Sequence, residues 1–262
     1  MSGWSTRDAL FIEPRTRMED HMDYHRPVPP EESRRIATTF GVLYLITFAT
    51  SIPALWLFQP VLDDPAGYVA GAGHDNRIFL AAFLELLLII ANIGTAVVVY
   101  PLLKRENEIL AIGYVTARLV ESTFILVGIL SVLAVVTLQQ NPSAGSEATL
   151  GTLAFTLAAI KDWTFLLGPG FVVGVGNGLI LGYLMYRSGL VPPRMTILGL
   201  VGGSLICITG ILVMFGVDEP GGTLQGIATL PEALWELALG IYPIVWGFRA
   251  APILSGARVA TT

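Results

Sequence analysis

Seven ionisable side chains lie inside long apolar runs, and their types and spacing are suited to chemistry: Glu85, Arg118, Glu121, Lys161, Asp162, Glu232 and Glu236. A charge in such surroundings costs about 2.5–3.5 kcal/mol on membrane-insertion scales, so each of them needs a partner, a proton or a bound ion. Five are acids and two are bases, so complete internal pairing leaves carboxyl groups over. A carboxyl without a cation nearby is protonated, hydrated or cation-bound. The candidate ligand- or ion-binding residues are therefore Glu85, Arg118, Glu121, Asp162, Glu232 and Glu236. Glu85 and Glu236 would exchange a proton or cation, and Arg118 would tune them or hold an anionic group.

Each has a plainer reading. Arg118 and Glu121 are three apart on one helix face and can pair with each other. Thr229-Leu-Pro-Glu232 fits a capping box that places Glu232 at the start of a helix. Lys161 and Asp162 fit a headgroup zone. Glu85 and Glu236 have no partner in their own helices. Glu232 and Glu236 are one turn apart and can also share a metal.

Composition shows what positions these residues. The chain has 262 residues, 53% hydrophobic and only 13% charged, where a soluble domain carries about 25% charged. Its mean hydropathy is +0.68. A soluble protein this apolar could not cover its surface, whereas a bilayer removes the requirement. The expected fold is all-α, a polytopic membrane helix bundle. A hydrocarbon core about 30 Å thick needs roughly 20 apolar residues of helix, and six runs qualify: 36–58, 78–103, 110–138, 163–186, 195–215 and 230–248. Pro53 should kink or end the first, and Asp75 fits the cap of the second. The apolar stretch from Thr149 to Tyr186 is too long for one crossing. Glu147 to Ile160 is expected as an outer interfacial helix or overhanging extension, broken from the fourth span by Lys161-Asp162-Trp163. Gly189 and Pro192-Pro193 should end that span.

Lysine and arginine set the orientation. Arg34 and Arg35 precede the first span, Lys104 and Arg105 join the second to the third, Arg187 and Arg194 join the fourth to the fifth, and Arg249 and Arg258 follow the sixth. With six crossings all of these fall on one side, which makes both termini cytoplasmic. The opposite turns carry Asp63, Asp64, Glu147, Asp218 and Glu219, with Arg77 as their main basic residue. At 1.5 Å per residue, Glu85 and Glu236 then lie roughly 10 Å below the outer surface, with Arg118 and Glu121 near the middle. Residues 1–33 are charged, carry Pro27, Pro29 and Pro30, and have no apolar stretch after a basic start. They are expected as a flexible cytoplasmic tail rather than a secretory leader, with Met18 and Met22 as alternative starts. Residues 251–262 form a second cytoplasmic tail, and 34–250 form the membrane domain.

Absences narrow the classes further. The formal net charge of −5 is unclustered, against a nucleic-acid partner. Cys207 is the only cysteine, so no disulfide or cysteine metal site is expected, and no cofactor is implied. No span contains a histidine, and His74 sits in an outer loop. There is no H-E-x-x-H, G-x-S-x-G, arginine ladder or TVGYG filter. Gly170, Gly174 and Gly178 recur every four residues as a helix-packing ridge. The Gly174-Val-Gly-Asn-Gly178 run follows no strand and is not a dinucleotide loop. Asn92 and Asn177 can hydrogen-bond across helices.

With the spans placed, five segments carry a resemblance. They are Gly41-Val-Leu-Tyr44-Leu-Ile-Thr47, Ala117-Arg118-Leu-Val-Glu121, Asp162-Trp163-Thr-Phe-Leu-Leu-Gly168-Pro169-Gly170, Arg187-Ser188-Gly189-Leu-Val-Pro192, and Pro231-Glu232-Ala-Leu-Trp235-Glu236-Leu. Together, over roughly residues 34–250, the chain resembles the bacterial family known as domain of unknown function 4386. Pro192-Pro193 and the neutral Pro243-Ile-Val-Trp246 depart from its pattern. The resemblance implies a multi-pass protein of the bacterial plasma (inner) membrane and transfers no catalytic residue. Three functions stay open: a proton- or cation-coupled transporter of a small molecule or ion, a non-catalytic sensor or assembly protein whose charges clamp helices together, and an intramembrane lipid-modifying enzyme.

Overall fold

A computed structural model of the chain describes residues 26–72 and 75–256. Residues 1–25 of the expected N-terminal tail, His74, and residues 257–262 of the expected C-terminal tail lie outside the described residues. Helix accounts for 87% of the described residues and no strand occurs among them, which fixes the all-α class.

Six long helices carry the fold: α1 (Pro30–Asp63), α2 (Asp75–Leu103), α3 (Glu108–Gln140), α4 (Glu147–Ser188), α5 (Pro193–Met214) and α6 (Thr223–Trp246). Local sequence explains their ends. Pro30 and Pro193 open α1 and α5 at a position where no N–H is needed. Asn107 and Ser146 accept hydrogen bonds from the first turns of α3 and α4. Gly189 and Gly247, at φ 69° and 74°, terminate α4 and α6 in a conformation costly for any residue with a Cβ. The helices pack in chain order, and α6 closes the ring against α1.

Contacts at the two ends show how the helices run. At one end, Arg105 donates to the Arg26 carbonyl at 2.8 Å, Val28 N–H to Leu254 at 2.9 Å, Arg249 N–H to Leu190 at 2.9 Å, and Arg187 meets Glu106 at 3.4 Å. This end gathers the start of α1, the α2–α3 and α4–α5 turns, and the chain after α6. At the other end Asp75 accepts from Tyr68 and from Gln140, both at 2.8 Å. Asp75 thus joins the ends of three segments. Residues 26–33, assigned above to the tail, are helical from Pro30 onward.

Several local expectations are corrected. α1 runs through both Pro53 and Pro60. Pro60 has no N–H for the Trp56 carbonyl, and Arg77 supplies the missing donor, reaching Trp56 O at 2.6 Å and Leu57 O at 3.1 Å. The expected break at Lys161-Asp162-Trp163 is absent: α4 is one helix of 42 residues. At roughly 60 Å it is twice as long as a hydrocarbon core is thick. Its middle is π-helical, over Leu166–Val172 and Gly174–Leu181, where the wider turn tolerates Pro169. The capping box is also absent. α6 starts at Thr223, and the Thr229 hydroxyl donates back to the Gln225 carbonyl at 2.8 Å from within the helix. Glu232 therefore lies well inside α6 and caps nothing.

Polarity is inverted relative to a soluble protein. Large apolar side chains such as Trp56, Ile90 and Phe155 point outward, each 67% exposed. Charged side chains turn inward, between one apolar cluster around Phe40, Leu184 and Trp235 and another around Phe58, Ile129 and Val132. By length and composition, α1 to α5 can each cross a bilayer.

Candidate functional site

The buried charges form two ion pairs and one acceptor-rich contact. Lys161 of α4 reaches across the bundle to Glu85 of α2, with its ammonium 2.6 Å from both carboxylate oxygens. It also lies 4.7 Å from the centre of the Phe58 ring, a cation–π contact. The lysine fits because position 128 is glycine: a Cβ there would stand 2.9 Å from Lys161 Cδ and 2.7 Å from Thr164 Oγ1. Lys161 is only 5% exposed, buried among the helices with its ammonium on Glu85.

The second pair is local to α3 and then cross-linked to α2. Arg118 Nη1 meets Glu121 Oε2 at 2.7 Å. Asn92 of α2 completes the loop, accepting from Arg118 Nη2 at 2.6 Å and donating to Glu121 Oε1 at 2.9 Å. A planar guanidinium held by two oxygens in fixed geometry keeps little freedom. Tyr44 lies under the guanidinium, ring centre 5.7 Å away, and its hydroxyl meets that of Tyr114 at 3.0 Å.

The third group has acceptors in excess. Glu236 of α6 accepts from the Asn177 amide of α4, and Trp235 Nε1 donates to the Asn177 carbonyl at 3.1 Å. Asn177 Oδ1 and both carboxyl oxygens of Glu232 are buried with no hydrogen-bond partner among the described residues. No basic side chain among those residues lies within ion-pair distance of Asp162, Glu232 or Glu236.

One cavity of about 220 Å³ connects most of this chemistry. Glu85, Lys161, Asn92, Arg118, Glu121 and Glu236 form its polar wall, and Asp162 lies at its rim. Apolar side chains complete the lining, among them Phe48, Leu55, Phe58, Ile125 and Val173. Lining residues that are also exposed mark the mouth: Ile52 and Leu55 on α1, Asp162 and Phe165 on α4. The volume holds several waters or a small organic solute and falls below the range of about 300–1,000 Å³ usual for drug-sized ligands.

A model of the family described as Domain of unknown function (DUF4386) matches residues 39–247. The chain belongs to this family. No curated protein and no solved structure matches it. Family and apolar helices together make this DUF4386 chain an integral, multi-pass membrane protein.

Of the six sequence candidates, Glu85, Arg118, Glu121, Asp162 and Glu236 line the cavity, and Glu232 lies outside its lining. Lys161 and Asn92 belong to the site although neither was a candidate. The one signal for Lys161 was a base inside an apolar run. Its acid lies 76 positions away in sequence, which no spacing rule connects. Among the glycines, Gly174 and Gly178 touch α5: added Cβ atoms would stand 2.8 Å from Gly203 O and 2.3 Å from Gly203 Cα. Gly170 has ordinary room, its nearest neighbour being at 3.5 Å. Among the described residues no group of three or more histidine, cysteine or acidic side chains is placed to hold a metal ion. What the arrangement offers is a polar wall with cations and acids facing a small amphipathic space.

Proposed function

We propose that this protein is a proton-coupled transporter or permease-like protein, whose cavity takes a small amphipathic solute. The observation that supports this most is the cavity itself, which joins two ion pairs and an acid without a cation, Glu236, in one space. Arg118 and Lys161 are the groups for an anionic moiety, while Phe48, Leu55 and Phe58 suit an apolar one. Glu236 exchanges the proton, because its one direct partner is the neutral Asn177 amide. On this reading α6 is a sixth crossing, both termini are cytoplasmic at the basic end, the start of α4 overhangs the outer face, and the membrane is the bacterial inner membrane. The common end formed by Arg26, Arg105, Arg187 and Arg249 supports that topology.

The experiment is solute-driven proton movement in proteoliposomes with a trapped pH dye, using small amphipathic acids and amines as probes. Wild type should acidify or alkalinise the lumen with at least one of them, and Glu236→Gln should abolish the coupled signal while remaining folded. Proton flux in Glu236→Gln equal to wild type would overturn the reading.

A second reading has its own observation. Both buried cations already hold carboxylates at 2.6–2.7 Å, as a helix clamp would. A clamp with no transport role gives strong stability coupling in the Lys161/Glu85 double-mutant cycle and no solute response.

A further inference from the structure

Glu232 belongs to neither ion pair and does not line the cavity, yet it is buried at 2% exposure. Both of its oxygens lack a hydrogen-bond partner among the described residues. The carboxyl is enclosed by main chain: a Cβ added at Gly178 of α4 or at Gly202 of α5 would stand 2.9 Å from Glu232 Oε2. Glycine at both places is what lets α4 and α5 close on the acid. The charged and titratable groups that face it are Glu236 on its own helix, Arg118 on α3 and Cys207 on α5. None of these is a base in direct contact.

An ionised carboxylate in such a place has nothing to replace its water, whereas the neutral carboxylic acid carries no net charge to desolvate. We infer that Glu232 is the store of the coupling proton, a buried site behind the solute cavity that exchanges with Glu236 one turn along α6. The exchange balances simply. The O–H bond on Glu232 breaks, an O–H bond forms on the Glu236 carboxylate, and the negative charge moves from Glu236 to Glu232. The Asn177 amide N–H donates to Glu236, a contact that favours the carboxylate form there relative to Glu232. A sodium ion is the other occupant that acid oxygens could take. It needs several oxygens around it, and among the described residues no group of three or more histidine, cysteine or acidic side chains is placed to supply them. The role in coupling rests on the transport reading above, while the location of the proton can be tested apart from it.

The test is infrared spectroscopy of the full chain in lipid nanodiscs at pH 7, following the carbonyl band of protonated carboxylic acids. Wild type should show the band, shifted by ¹³C-glutamate labelling and insensitive to sodium. Glu232→Gln should remove it. Glu236→Gln should keep it at altered frequency, because Glu232 then loses its exchange partner and retains the proton. If Glu232→Gln does not fold, Glu232→Asp decides, since it should keep a protonated-acid band that no longer shifts with ¹³C-glutamate. A wild type without a glutamate-derived band, a band unchanged by Glu232→Gln, or a band bleached by sodium overturns the assignment. Failure of solute transport with the band intact would remove the coupling role alone.

Discussion

Lys161 and Glu85 are each other's only charge partner within ion-pair distance among the described residues, so removing one strands the other inside the bundle without a counter-charge. Breaking such a pair costs about 3–5 kcal/mol, far more than the pair contributes over an apolar replacement. Lys161→Met should therefore lower stability by several kcal/mol in detergent unfolding, and Lys161→Met with Glu85→Gln should recover most of the loss. A double variant as unstable as the single would show that the pair does not act as a unit. Arg77 makes a different prediction. It supplies the donor that Pro60 lacks, so Arg77→Ala should cost about 1–3 kcal/mol by leaving carbonyls unsatisfied. Arg77→Lys should recover less than half, since one ammonium cannot reach both carbonyls in the same fork. At this scale the sequence shows which residues are costly to bury but not whom they meet. Arg118 and Glu121 could be paired from spacing because they share a helix. Lys161 and Glu85 could not, and Glu232 was misread because a threonine and a proline three and one positions before it imitate a helix start.

α4 shows how helices are positioned by what they lack. Gly178 approaches Gly203 closely enough that a Cβ would stand 2.3 Å from its Cα, so backbone and not side chain must move. Gly178→Ala should cost about 1–3 kcal/mol or more and loosen α4 from α5, whereas Gly170→Ala should be close to neutral. Thermal melts of the two variants in the same lipid distinguish this from a general dislike of alanine in a π-helical segment. The apolar runs gave the helices and most of their ends, because length and hydropathy are local properties. The continuity of α1 through two prolines and of α4 through Lys161-Asp162 was not legible, since each depends on a partner in α2. The π-helical middle of α4 left a signal only in its glycines and Pro169.

For the whole molecule, the ring of six helices places an acid-rich, cation-containing layer between two apolar clusters. The joined basic end predicts that N- and C-terminal reporters share one side of the membrane. Terminal fusions to a cytoplasm-active fluorescent protein should both be bright, and fusions to a phosphatase active only outside should both be inactive. Opposite results at the two ends would remove one crossing, with α6 the first to be questioned. The central claim is that the polar wall faces a hydrated cavity, and cysteine accessibility tests it most directly. In a Cys207→Ala background, Ser51→Cys places one thiol on the cavity lining. A membrane-impermeant cationic thiol reagent added outside cells should modify it at a rate within about tenfold of an Asp218→Cys control. Complete protection of Ser51→Cys in folded protein, with the control fully modified, would mean that the charges close a dry clamp.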